Sequence, residues 1–75
     1  MGRLSGFRYR EVVARLRRFG FEFDRHGAGS HEVWRQRGTG RKVTLPRHTR
    51  PMAEGTLRAV LREAGVTTAE FLGEE

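Results

Sequence analysis

Between residues 5 and 20 the apolar side chains Tyr9, Val12, Val13, Leu16 and Phe19 recur at intervals of three and four, the stripe of a helix with one buried face. Ser5 stands where a capping hydroxyl starts such a helix, and Gly20 where a left-handed C′ residue ends it. A period of two follows, because Phe21 and Phe23 alternate with Glu22 and Asp24 as in a strand buried on one side. Gly27, Ala28, Gly29 and Ser30 form a turn, and His31 to Arg37 resumes as a strand containing Val33 and Trp34. Gly38-Thr39-Gly40 is a second turn, and Lys42 to Leu45 a third strand closed by Pro46. From Met52 onward Leu57, Val60, Leu61 and Ala64 return to helical spacing and Gly65 supplies the stop. Thr67 and Glu70 have capping-box spacing at the head of a short terminal turn carrying Phe71 and Leu72, and Gly73-Glu74-Glu75 is left as a loose end.

The order is therefore α-β-β-β-α. Short loops between successive strands predict a three-stranded antiparallel meander. Each helix has one apolar stripe and the sheet one apolar face, so both helices are expected on the same side and the other face is open to solvent or a ligand. This α+β arrangement is that of a double-stranded-RNA-binding domain, an analogy that by itself assigns no activity. At 75 residues the chain is expected to hold one domain, residues 1–75, with a surface site and no deep pocket. Parity groups His31 with Val33 and Arg35, and Glu32 with Trp34 and Gln36. On this reading His31 sits at the rim of the helix-covered side, and Trp34 points outward as a platform on which a base can stack.

Charge sharpens the picture. Residues 1–50 carry thirteen basic and four acidic side chains, whereas residues 51–75 carry two and five, so the first part of the chain faces a polyanion. Fourteen of the fifteen basic residues are arginine, whose planar fork pairs with phosphate and stacks on bases. A GC-rich genome would explain the choice of arginine but not its uneven placement. Nucleic acid is the first partner to consider and an acidic protein the second. With no cysteine, a disulfide framework, a thiolate metal site and a cysteine nucleophile are excluded. No apolar run approaches a membrane span and no signal peptide is evident, so a cytoplasmic protein without membrane contact is expected.

The chemistry that this composition allows is cleavage of RNA. A base removes the 2′-hydroxyl proton, the oxygen attacks the adjacent phosphorus, an acid assists the leaving 5′-oxygen, and cations hold the charge on the phosphoryl group. His26, His31 and His48 are the titratable candidates. His31 opens a strand directly after Gly29-Ser30, where glycine lets a nucleotide backbone approach and leaves main-chain N–H groups free for phosphate. A lone histidine at a turn is more often structural. His48, in Pro46-Arg47-His48, either contacts RNA or fixes its loop through a backbone hydrogen bond. The histidines lack metal-ligand spacing, and Glu22, Asp24 and Glu32 read as solvated carboxylates, so no metal and no cofactor are expected.

Ser5-Gly6, Leu16 to Gly20-Phe21, Gly29-Ser30-His31, Pro46-x-His48, and Gly55-Thr56-Leu57 leading to Leu61, Ala64 and Gly65 stand in one order over nearly the whole chain. In these motifs the chain resembles the HicA (YcfA-like) messenger-RNA interferase toxins of type II toxin–antitoxin systems. The resemblance implies an endoribonuclease acting on mRNA, with His31 as its catalytic histidine and Gly29 and Ser30 as motif support. It further implies a HicB-like antitoxin that covers this region. Arg25, Arg35, Arg41, Lys42 and Arg47 are then candidate phosphate contacts. Two alternatives remain open at this point: an RNA-binding module without catalysis, and a subunit whose arginines only dock an acidic partner.

Overall fold

The first helix, α1, spans Tyr9–Arg17 and buries Val12, Val13 and Leu16. Residues 2–74 are described by the computed structural model. Arg8, and not Ser5, holds the cap position, with its N–H donating to the Glu11 carboxylate at 2.9 Å. The start is displaced because Gly6 has φ +88°, a left-handed conformation that a helix interior does not accept. Ser5 belongs instead to a separate turn, its N–H donating to the Gly2 carbonyl at 3.2 Å, and Leu4 beside it is fully buried.

Gly20, at φ +87°, turns the chain into the sheet. Strands β1 (Phe21–His26), β2 (His31–Gln36) and β3 (Lys42–Pro46) form an antiparallel sheet in the order β1-β2-β3. Helix α2 covers Glu54–Ala64 and ends at Gly65 in the left-handed conformation. The terminal helix α3 (Thr68–Leu72) has the capping box expected of Thr67 and Glu70, whose reciprocal bonds measure 3.0 and 2.9 Å. The expected loose end is tied down as far as Glu74, whose N–H donates to the Ala69 carbonyl and whose carboxylate pairs with Arg3. Glu75 lies outside the described residues.

The register decides what the two faces of the sheet carry. Trp34 stands opposite Phe23 on one side and Val43 on the other, and Glu32 stands opposite Leu45. Phe21, Trp34, Val43 and Leu45 join Val12 and Leu16 of α1 and Leu57, Val60 and Leu61 of α2 in one core. The helix-covered parity is therefore that of Glu32 and Trp34, the reverse of the expectation, and His31, Val33 and Arg35 face outward. Trp34 is 2 % exposed and cannot serve as a base platform. Its indole is the larger apolar payload, so burying it outweighs burying Val33, which finds shelter on the open face against the Gly27 turn.

In β1 the expected alternation fails after Phe23. A bulge shifts the register so that Arg25, not Asp24, stands opposite Val33. Phe23 remains 45 % exposed on this edge strand, resting its ring against Trp34 and His26. Helices packed on one face of a three-stranded antiparallel sheet, in the order α-β-β-β-α, make this an α+β fold like the double-stranded-RNA-binding domain.

Trp34→Ala should lower unfolding stability by about 3–5 kcal/mol in urea titrations, against less than about 1 kcal/mol for Phe23→Ser. Equal losses would contradict the assignment of the covered face.

Candidate nucleic-acid interface

His31 is held at the first position of β2 by a tight turn in which Gly29 adopts φ +59°. The His31 N–H donates to the Ala28 carbonyl at 3.1 Å, and the Gly27 N–H donates to the His31 carbonyl at 2.9 Å. The side chain follows the same anchor, with Nδ1 lying 3.1 Å from the Ala28 carbonyl oxygen. A carbonyl only accepts, so this contact places a proton on Nδ1, and in the neutral imidazole Nε2 is the nitrogen with the free lone pair. The N–H groups of Ala28, Gly29 and Ser30 make no hydrogen bond among the described residues and stay available to an anion.

The turn is joined to the end of β3. The Arg47 N–H donates to the Ser30 carbonyl at 2.9 Å, and His31 stands opposite Pro46 in the ladder. His31 and His48 consequently border one open groove of about 430 Å³, completed by Thr44, Pro46, Thr56 and Glu63. His48 is exposed and makes no side-chain hydrogen bond among the described residues, so the expected loop-fixing bond is not formed. The loop is held instead by Arg8, which donates to the Thr49 carbonyl, and by the Met52 N–H, which donates to the Phe7 carbonyl at 2.7 Å.

The open face extends this site. Arg35 and Lys42 are cross-strand neighbours, both exposed, and neither has an ion-pair partner among the described residues. Like charges set directly opposite one another weaken a sheet, and a bound phosphate relieves that cost. They lie about 13 Å along β2 from His31. The bulge brings Arg25 to the same face, where it pairs with Asp24 at 2.6 Å and remains 58 % exposed. Arg41 is also exposed; it donates to the Glu63 carbonyl at 3.1 Å and lies against Gly65, closing the C-terminal end of α2. Trp34 is withdrawn from the interface, with the Arg17 guanidinium 5.0 Å from its ring centroid.

Behind the groove lies a residue that sequence reading took for a solvated carboxylate. Glu32 is 4 % exposed and is the one buried charged side chain among the described residues. Its Oε1 accepts from the Tyr9 hydroxyl and, at 3.1 Å, from Trp34 Nε1, while Oε2 lies 3.7 Å from the Arg47 guanidinium. Burial pushes the carboxyl upward, but the Tyr9 and Trp34 hydrogen bonds and the Arg47 and His26 charges outweigh it and hold Glu32 below its usual value. Tyr9 is pushed up to about 12 by burial and by its bond to Glu32. A signal for Glu32 was present: counting outward from the Gly38-Thr39-Gly40 turn pairs Trp34 with Val43 and Glu32 with Leu45, two plainly apolar partners.

The family model described as the HicA toxin of bacterial toxin–antitoxin systems matches residues 9–66, a span that runs from the first residue of α1 past α2 and contains every site residue named above. No curated protein matches the chain.

The Glu32 pair of shifts sets opposite pH limits. A lowered carboxyl stabilises the fold above its unfolded value of 4.5, and that contribution is lost as pH falls through the folded value. A raised phenol stabilises fully below 10.0 and loses its effect as pH rises toward about 12. Thermal melts should therefore show an acid limb that is flattened in Glu32→Gln and an alkaline limb that is flattened in Tyr9→Phe. Unchanged limbs in both variants would show that the network does not carry this linkage.

Proposed function

The chain belongs to the HicA toxin family of bacterial toxin–antitoxin systems, and from that premise we propose that it is an endoribonuclease that cleaves messenger RNA through His31 without a metal ion. The chief support is the imidazole geometry at the start of β2, where Nδ1 is committed to the Ala28 carbonyl and Nε2 is open to the groove. In this reading Nε2 takes the 2′-hydroxyl proton, the 2′-oxygen bonds to phosphorus, and the bond from phosphorus to the 5′-oxygen breaks as that oxygen takes a proton from water. The free N–H groups of Ala28, Gly29 and Ser30, the last two in the Gly29-Ser30-His31 motif, together with Arg47, receive the phosphoryl charge. Arg25, Arg35 and Lys42 steer the strand across the open face, and His48 contacts it beside His31.

The reaction asks only for proton transfer and charge stabilisation, which the imidazole of His31 and the guanidinium groups near it can supply. Glu22 pairs with Arg37, Asp24 with Arg25, and Glu32 is enclosed, so these carboxylates are each engaged in the protein. The membership brings an antitoxin partner, and we take a HicB-like protein to cover the His31 groove, its acidic groups meeting the same cations. No helix among the described residues is long and apolar enough to cross a membrane. The proposed substrate places the activity in the cytoplasm.

Purified protein incubated with end-labelled RNA and the matching DNA in EDTA should cleave the RNA alone. His31→Ala should reduce the rate by at least about a hundredfold while keeping the fold and most RNA affinity. Equal cleavage by the variant would remove His31 from the chemistry, and intact RNA with salt-dependent binding in both would leave a binding module.

A further inference from the structure

Three grooves border His48, the smallest of about 250 Å³ lying toward Pro51 and Met52. Beyond the one shared with His31, a larger groove of about 560 Å³ lies on the α1 side, lined by Arg8, Tyr9, Arg10, Val13, Arg47 and His48 together with Glu11 and Thr49. We propose that this second groove is a subsite for the nucleotide next to the cleaved one in a single-stranded RNA, with its phosphate on Arg10 and its base against the Arg47–Tyr9 pair. The inference rests on the RNA-cleaving reading above and adds to it a second place where the substrate is held.

Charge points to an anion. Three guanidinium groups border the groove, and its one carboxylate, Glu11, is already engaged by the Arg8 N–H at 2.9 Å. Arg8 is bound to the Thr49 carbonyl, whereas Arg10 is exposed and has no partner among the described residues. An unpaired arginine at the edge of a concave, basic surface is free to grip a phosphate with its fork.

Shape and chemistry point to an unpaired base beside that phosphate. The half-buried Tyr9 ring and buried Val13 give the groove an apolar floor. The Arg47 guanidinium lies 5.5 Å from the Tyr9 ring centroid, is backed by Glu32 and is still 64 % exposed, so it is a held planar cation with a side toward solvent. Bases of single-stranded RNA stack on such guanidinium planes. On the open face of the sheet the cations Arg25, Arg35 and Lys42 are not stacked on an aromatic ring among the described residues. His48 lines both grooves, so a strand that runs past this residue reaches from one to the other.

The test uses the full chain in a His31→Ala background, where binding is read without cleavage. Fluorescein-labelled single-stranded RNA is titrated by anisotropy between low and moderate salt, comparing added Arg10→Ala with added Arg62→Ala, an exposed arginine of α2 outside both grooves. Arg10→Ala should weaken binding about tenfold and make the salt slope shallower by about 0.7, the loss of one single-strand phosphate contact. Arg62→Ala should change affinity less than about twofold, as for a phosphate-remote charge. If the parent binds RNA and the two variants behave alike, the subsite is overturned while the RNA-cleaving reading stands. If the parent binds no RNA, both fall, and tight binding of an acidic protein in its place would assign the groove to that partner.

Discussion

The pleat of β2 is the constraint on which the rest of the structure depends. As the middle strand it is paired on both edges, so each of its side chains has no choice but one face or the other. Glu32, Trp34 and Gln36 go to the helices, and His31, Val33 and Arg35 go outward. A slip of one residue would expose the indole and bury an imidazole and a guanidinium, which makes the register strongly specified. The exposed histidine of the site is thus maintained by the burial of its near neighbours and not by contacts of its own beyond the Ala28 turn.

Glu32 links that sheet to the helices. A carboxylate taken out of water is costly unless its oxygens are satisfied, and here a phenol, an indole N–H and a guanidinium satisfy them. The same bonds connect α1 to β2 and to the segment that follows β3. That segment is fastened again by Arg8 at the Thr49 carbonyl and by its own backbone at Ser30. In a domain with a thin core, polar ties of this kind hold His48 and Arg47 in place where apolar packing is scarce.

The arginines do not all serve one purpose. Arg15 packs over the rings of Phe7 and Phe71 and donates to the Phe71 carbonyl at 2.9 Å, Arg17 covers Trp34, and Arg41 closes α2. These guanidinium groups extend the core outward, a use for which their flat, weakly hydrated heads are suited. Arg10, Arg25, Arg35 and Arg47 instead keep their guanidinium groups exposed, as Lys42 does its ammonium. Counting charge along the chain raised the expectation of a polyanion partner without separating the arginines left exposed from those that pack against the fold.

What the sequence by itself determined was local: the order of elements, the strand-ending turns, the Thr67–Glu70 box, the stop at Gly65, and the Gly29-Ser30-His31 turn with its histidine at the head of β2. These depend on groups within about four residues of one another, where spacing and backbone preference are enough. The pattern within β2 did not choose between two apolar parities when Val33 and Trp34 compete; only pairing across the Gly38-Thr39-Gly40 turn signalled the choice, and nothing signalled the bulge that carries Arg25 to the open face. Only the tertiary structure decided that Trp34 is inside, that Glu32 is a buried anchor, and that Arg8, Arg10 and Tyr9 border the same region as His48. The reason is distance along the chain. The Tyr9–Glu32 and Arg8–Thr49 contacts join residues 23 and 41 positions apart, and no periodicity encodes which of two faces such partners will share.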